Sequence, residues 1–244
     1  MTFLKAVLAG SLLVSAFLLQ CNGAVPGVIK DPDGNEYHTV KIGGQVWTVE
    51  NLRTTRYNDG SPIPLVTDSS RWNSLTTPAY CYYANTSNAD SIKLFGALYN
   101  WHAVNTKRLA PKGWHVPDTS DWNKLRDFLV KNGYNWDGKT SGNRVAKSLA
   151  AKTGWIFPGS DTGYAGLIQN NPASNDKSGF SGLPGGQRSR QQDFRHLGYN
   201  GFWWSASEDG APYAHDRCLS YQEDDLVKSS HYKSNGQSVR LVRD

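Results

Sequence analysis

Long apolar runs are missing from this sequence. The longest, Ala6 to Leu19, holds fourteen apolar or small residues, whereas a helix that crosses a bilayer takes about 20. Lys/Arg-rich runs are missing too. The formal net charge is +5, but acidic residues interleave with basic ones almost throughout. No phosphate-binding patch is formed, and nucleic acid is not an expected partner. None of the six histidines (His38, His102, His115, His196, His215 and His231) falls at H-x-H or H-x-x-x-H spacing. Zinc needs three or four converging ligands, so no metal is expected, nor any other cofactor. The nucleophile motif G-x-S-x-G is absent, since "GFSGL" at 179–183 fails at its last position. "GYNWDGKT" at 133–140 matches G-x-x-x-x-G-K-[ST] letter for letter, but it follows an amphipathic helix instead of a buried strand. Asp137 would also repel phosphate, so the match is rejected. The carboxylate pairs Glu208-Asp209 and Asp224-Asp225 are explained by polar loops. Nothing here identifies an enzyme.

What is present is glycine, proline and aromatic residues. With 24 Gly, 11 Pro, nine Trp and twelve Tyr, the chain suits many short elements around a core of few, large side chains. At the N-terminus one Lys precedes the short apolar run, and Cys21 follows it, which is the pattern of an export signal. "LLQC" resembles a bacterial lipobox, with Gln20 where a small residue is usual. The expected organisation is a signal peptide over 1–20, lipidation at Cys21, a tether over 21–27 and one domain over 28–244. The expected place is the bacterial outer membrane or cell surface, with membrane contact through the lipid alone. The alternative is cleavage near Gly23 or Ala24 and secretion as a soluble protein. In an oxidising compartment Cys81 and Cys218 then allow a single disulfide, or remain as two buried thiols.

Periodicity gives the elements. "NEYHTVKIGGQVWTVENL" reads as a β-hairpin around Gly43-Gly44, and "PAYCYYAN" as a short aromatic strand. In 95–105, Leu98, Trp101 and Val104 share a helical spacing. Asp118 is placed to N-cap a helix with Asp121 at its third position. Trp122, Leu125, Phe128 and Leu129 form its buried stripe, and Asn132-Gly133 ends it. A second helix is expected over 143–152. Beyond 153 only strands are expected, with "DRCLSY" and "QSVRLV" paired. No repeat or domain boundary interrupts the chain, so one α+β domain is the simplest account.

The phrases "DGNEYHTVKIGGQVWTVENLRTTRYNDG", "FGALYNWHAVN", "APKGWHVPDTSDW", "GFSGLPGGQR", "GFWWSAS" and "QSVRLVRD" occur in one order. In that order they strongly resemble the Fibrobacter succinogenes major paralogous domain family of exported bacterial proteins. "GWHVPDTSDW" and "SVRLVR" are in turn similar to the C-type-lectin-like group that includes formylglycine-generating enzyme. The resemblance implies a C-type-lectin-like fold: two helices around small twisted antiparallel sheets with long loops. Family members commonly carry Cys in the last strand, where this chain has Leu241. Cys218 is expected on the neighbouring strand, so the resemblance implies that a disulfide from Cys81 has moved there. The calcium-dependent sugar tripeptides of true lectins are absent, and Cys218 has no partner for a reactive cysteine pair.

In this architecture the last third forms the ligand face, and such proteins are often targets of diversity-generating retroelements. Residues 205–236 look like a diversified patch between the fixed-looking "GFWWSAS" and "SVRLVRD". One of Trp203 and Trp204 is expected in the core, because neighbours on a strand face opposite ways. Trp204 is taken as the contact platform. Tyr213, Tyr221 and Tyr232 offer rigid amphipathic contact, and His215, Asp216, Arg217, Ser229 and His231 offer adaptable hydrogen bonds. Glu208, Asp209, Glu223, Asp224 and Asp225 bias the patch toward a cationic or hydroxyl-rich partner. The expected partner is a protein or glycan at a cell surface, bound without catalysis; the alternatives are a structural envelope lipoprotein without a dedicated ligand and a relative of the formylglycine-generating enzymes.

Overall fold

The computed structural model describes residues 27–156, 163–190 and 194–244; the expected signal peptide and Cys21 lie outside them. The chain opens on β1 (Val28–Lys30), β2 (Glu36–Ile42) and β3 (Gln45–Thr48). The β2–β3 hairpin is as expected. Gly43 has φ +63°, and a Cβ there would lie 2.7 Å from the Phe128 ring, so only glycine fits this turn. Next come α1 (Ser69–Asn73), β4 (Tyr80–Cys81), α2 (Ala89–Phe95), β5 (Leu98–Asn100) and α3 (Trp101–Asn105). The one long helix among the described residues is α4 (Thr119–Lys131), followed by α5 (Ala146–Leu149). Strands then dominate: β6 (Gly185–Arg188), β7 (Phe194–Leu197), β8 (Asn200–Glu208), β9 (Tyr213–Ser220), β10 (Val227–Tyr232), β11 (Gly236–Gln237) and β12 (Val242–Arg243). The fold is mixed α and β, mostly sheet, with few helices.

α4 starts and stops where the sequence places it. Asp118 Oδ1 accepts from the Asp121 N–H at 2.9 Å and Asp121 Oδ2 from the Asp118 N–H at 3.1 Å, a reciprocal capping box. Trp122, Leu125 and Leu129 are buried, and Phe128 packs at the edge of the same cluster. Two other expectations are corrected. Residues 98–100 extend as β5 between β4 and β11. The helix starts only at Trp101, because Asn100 Oδ1 accepts from Ala79 and Ala103 N–H groups and so caps it. The helix expected over 143–152 shrinks to α5. Asn143 is held outside it by a two-way bond with the Leu226 backbone, and Ala151 N–H turns away to the Gly182 carbonyl.

Two sheets organise the rest. One runs β1-β2-β3-β12; the other runs β10-β9-β8-β6-β11-β5-β4, with β7 on β6. "DRCLSY" and "QSVRLV" therefore do not pair: β9 lies between β8 and β10, while β12 closes on β3. β8 separates two cores. Trp203 points into one, with Trp47, Trp122 and Phe180, and Trp204 into the other, with Tyr37, Tyr99 and Trp101. Both indole N–H groups are satisfied, Trp203 Nε1 donating to Asn51 Oδ1 and Trp204 Nε1 to the Tyr99 carbonyl, each at 2.8 Å. Trp204 is fully buried, so it builds the core and is no contact platform.

Asn51 ties the sheets together. Its Oδ1 also accepts from Arg240 Nε at 2.8 Å, and its Nδ2 donates to the Phe95 carbonyl and Ser238 Oγ. The buried Arg240 guanidinium is otherwise held by the carbonyls of Thr48, Phe180 and Ser181.

The implied disulfide is also corrected. Cys81 and Cys218 are both buried free thiols. β4 and β9 are not neighbours in the sheet order; they are five strand spacings apart, roughly 24 Å along the sheet at about 4.8 Å per strand. A disulfide needs Cα atoms within about 7 Å. Burial pushes both thiols up to about 12, so little thiolate exists at neutral pH. Without reductant, maleimide is expected to leave both unlabelled in the native protein and to label both after unfolding. A pair that stays unlabelled on unfolding would show a bond.

Candidate functional site

The strands β8, β9 and β10 form an antiparallel meander, which brings the stretch 203–236 together in space. A bulge between Trp204 and Glu208 bends β8 at its outer end, where the extra residues re-aim the strand. Ser207 Oγ there accepts from the Thr119 N–H at the start of α4. The turn into β9 closes through Asp209 N–H to the Tyr213 carbonyl and Tyr213 N–H to the Gly210 carbonyl. Lys233 N–H then donates to the Pro212 carbonyl, carrying the pairing one step past the end of β10.

This outer end gathers five of the expected residues: Glu208, Asp209, Tyr213, His215 and Tyr232. Tyr213 and Tyr232 are directly opposed across β9 and β10, with ring centroids 4.7 Å apart. The Arg190 guanidinium covers the Tyr232 ring at 4.3 Å from its centroid. Arg190 is placed from outside the meander: its N–H donates to Asn235 Oδ1 at 2.8 Å. Lys233 Nζ bonds Glu208 and also lies 5.1 Å from the Trp101 ring centroid. His215 sits between Ser230 Oγ at 2.9 Å from Nδ1 and Asp209 Oδ1 at 3.4 Å from Nε2. Burial and the Lys233 charge hold His102 below its ordinary value.

The other expected residues go elsewhere. Asp216 is 0% exposed. It accepts from Ser229 Oγ at 2.8 Å and Gln237 Nε2 at 3.3 Å, and lies 3.0 Å from His231 Nδ1. Asp216, Ser229 and His231 are thus an internal polar cluster that holds β10 to β9. Arg217, 2% exposed, turns to the α4 side, where Nη2 donates to Asn123 Oδ1 at 3.2 Å; burial pushes its guanidinium down to about 10. Tyr221, Glu223 and Asp224 lie at the opposite end of the meander. β9 has eight residues, which at about 3.4 Å each separates its two ends by roughly 24 Å. Asp224 Oδ2 is already occupied there by Trp136 Nε1 and the Tyr164 hydroxyl.

The structure also changes the electrostatics. Of the five carboxylates expected to attract a cation, Glu208 pairs with Lys233, Asp209 with His215, and Asp224 takes the two donors above. The sequence reading missed Arg190, Lys233 and Trp101. Lys233 falls within the singled-out stretch, but Arg190 and Trp101 come from distant segments and carry no local signal.

A separate groove of about 1010 Å³ runs between β2 and α2, lined among others by His38, Glu50, Arg53, Lys93, Lys152 and Asp176. Its charges are of both signs, and none of the residues expected from the sequence lines it. Among the described residues, no group of three or more His, Cys, Asp and Glu is placed to hold a metal ion.

No curated protein and no solved structure matches the chain. The profile of the Fibrobacter succinogenes major domain matches residues 40–243. That span runs from within β2 to the end of β12 and takes in the eight-stranded sheet, α4 and the whole meander. The chain therefore belongs to the Fibrobacter succinogenes major domain family.

Proposed function

We propose that this protein is an exported, lipid-anchored binding module of the bacterial surface, with a C-type-lectin-like fold. It contacts a macromolecule or glycan through the outer end of the β8–β10 meander, without catalysis. The observation that carries this reading is the grouping of Tyr213, Tyr232, Arg190, Glu208 and Lys233 at one exposed end. Tyr213 is 36% exposed, and such a mixture of rigid aromatic and charged groups is the composition of contact surfaces. The fold group is supported, among the described residues, by one long helix, several short ones and two mostly antiparallel sheets joined by long connections. Against an oxidase of the formylglycine-generating type stand Cys81 and Cys218, which are buried thiols held far from thiolate character. Diversification by a retroelement is part of the proposal, and it would act on the exposed positions of the end.

A panel of glycans and intact bacterial and host cells tests the reading with the wild type and a Tyr213→Ala/Tyr232→Ala variant of unchanged near-UV circular dichroism. Saturable binding by the wild type, weakened about tenfold or more in the variant, is expected for aromatic residues at the centre of a contact. Equal binding by both proteins, or no saturable binding to any surface, contradicts it.

A further inference from the structure

The reading above leaves the ligand open, and the end of the meander narrows it. Arg190, Tyr232 and Tyr213 form one cluster: the guanidinium lies over the Tyr232 ring, and the Tyr213 ring meets Tyr232 at a tilt of 39°. Arg190 is exposed. A planar fork in that position suits a carboxylate, which it can bind through two parallel hydrogen bonds. Among the described residues no carboxylate pairs with Arg190, whereas the nearby Glu208 is engaged by Lys233. Arg190 is therefore a guanidinium left open to an acidic ligand. In the same cluster, Tyr213 keeps an exposed ring surface, a flat apolar platform beside a polar hydroxyl.

We infer that this end binds an acidic oligosaccharide, a chain of pyranose rings carrying carboxylates, such as a uronic-acid oligomer. The inference rests on the binding function proposed above. One sugar ring lays its apolar C–H face on Tyr213, and a carboxylate further along the chain meets the Arg190 fork. Both anchors touch Tyr232, and an oligomer offers a ring to one and a carboxylate to the other. An acidic peptide would satisfy Arg190 but has no saturated ring to lay on Tyr213. A neutral glycan would satisfy Tyr213 and leave Arg190 unused.

The test is calorimetric titration of the full chain with three probes: a galacturonic-acid hexamer, its methyl ester, and hexaglutamate. The acid hexamer is expected to bind, more weakly as salt screens the contact, and the ester and the peptide at least tenfold more weakly. Arg190→Ala is expected to weaken binding of the acid hexamer about tenfold or more, the scale of a lost hydrogen bond to a charged group. Arg190→Lys, which keeps the charge but not the fork, is expected to lose most of that affinity. Tyr213→Ala is expected to match Arg190→Ala, while Tyr213→Phe stays near wild type. Equal binding of acid and ester, equal binding of hexaglutamate, an unaffected Arg190→Ala variant, or no binding of the acid hexamer each overturns the inference. If the hexamer fails while cell or glycan binding is still lost in Tyr213→Ala/Tyr232→Ala, the acidic-sugar inference falls and the binding surface stands.

Discussion

Asn51→Leu is expected to lower stability by about 3–5 kcal/mol, because it leaves several buried polar groups unsatisfied at about 1–3 kcal/mol each. The substitution keeps volume and removes four hydrogen bonds at once. Arg240 Nε and Trp203 Nε1 lose their shared acceptor, and the Phe95 carbonyl and Ser238 Oγ lose their shared donor. All of this lies out of reach of water: Asn51 is 1% exposed and Arg240 fully buried. Because Asn51 precedes β5 while Trp203 and Arg240 come from the last fifth of the chain, the loss uncouples the two sheets. Asn51→Asp keeps acceptors for Arg240 and Trp203 and is expected to cost less. Denaturant unfolding of the two variants checks the ranking; an Asn51→Leu protein within about 1 kcal/mol of wild type would show that the hub is dispensable.

Trp204→Ala is expected to cost about 3–5 kcal/mol as well, the usual range for removing a large aromatic side chain from a core. It empties the second core beside Tyr99 and Trp101 and frees the Tyr99 carbonyl from its indole donor. Tyr213→Ala, only nine residues along, is expected to change stability by about 0.5 kcal/mol or less, as surface substitutions do. The contrast separates architecture from contact within one strand pair. If Tyr213→Ala proved as destabilising as Trp204→Ala, the outer end would be part of the core and unavailable to a ligand.

How much of this could be read in advance depended on the range of the forces involved. The β2–β3 hairpin and α4 were legible because their signals are local: a Gly-Gly turn, a capping pair three residues apart, an apolar stripe at helical spacing. Residues 98–100 misled because Leu98, Trp101 and Val104 satisfy a helical period while tertiary pairing with β4 and β11 wins. Within the candidate site, composition marked the stretch 203–236, whose strands lie side by side, but did not separate exposed from buried positions. Asp216 and Arg217 read as surface residues, yet one is enclosed by Ser229, His231 and Gln237 and the other turns to Asn123 of α4. Tyr213, His215 and Arg217 share one side of β9 by alternation, and only the position of α4 decides that Arg217 is covered while Tyr213 is open. Arg190 stood outside every reading, since its stack on Tyr232 joins segments more than forty residues apart.

The most direct test of the account is the sequence of the gene's 3′ end across many cells and related isolates. The outer end of the meander is proposed as a diversified contact surface built on a fixed frame. Substitutions are therefore expected to concentrate at adenine positions in the codons for Glu208, Asp209, Tyr213, His215 and Tyr232. The codons for Trp203, Trp204, Asp216 and Arg217 are expected to stay constant. Variation over codons 205–236 no greater than over the α4 codons, or spread equally over buried and exposed positions, would contradict it.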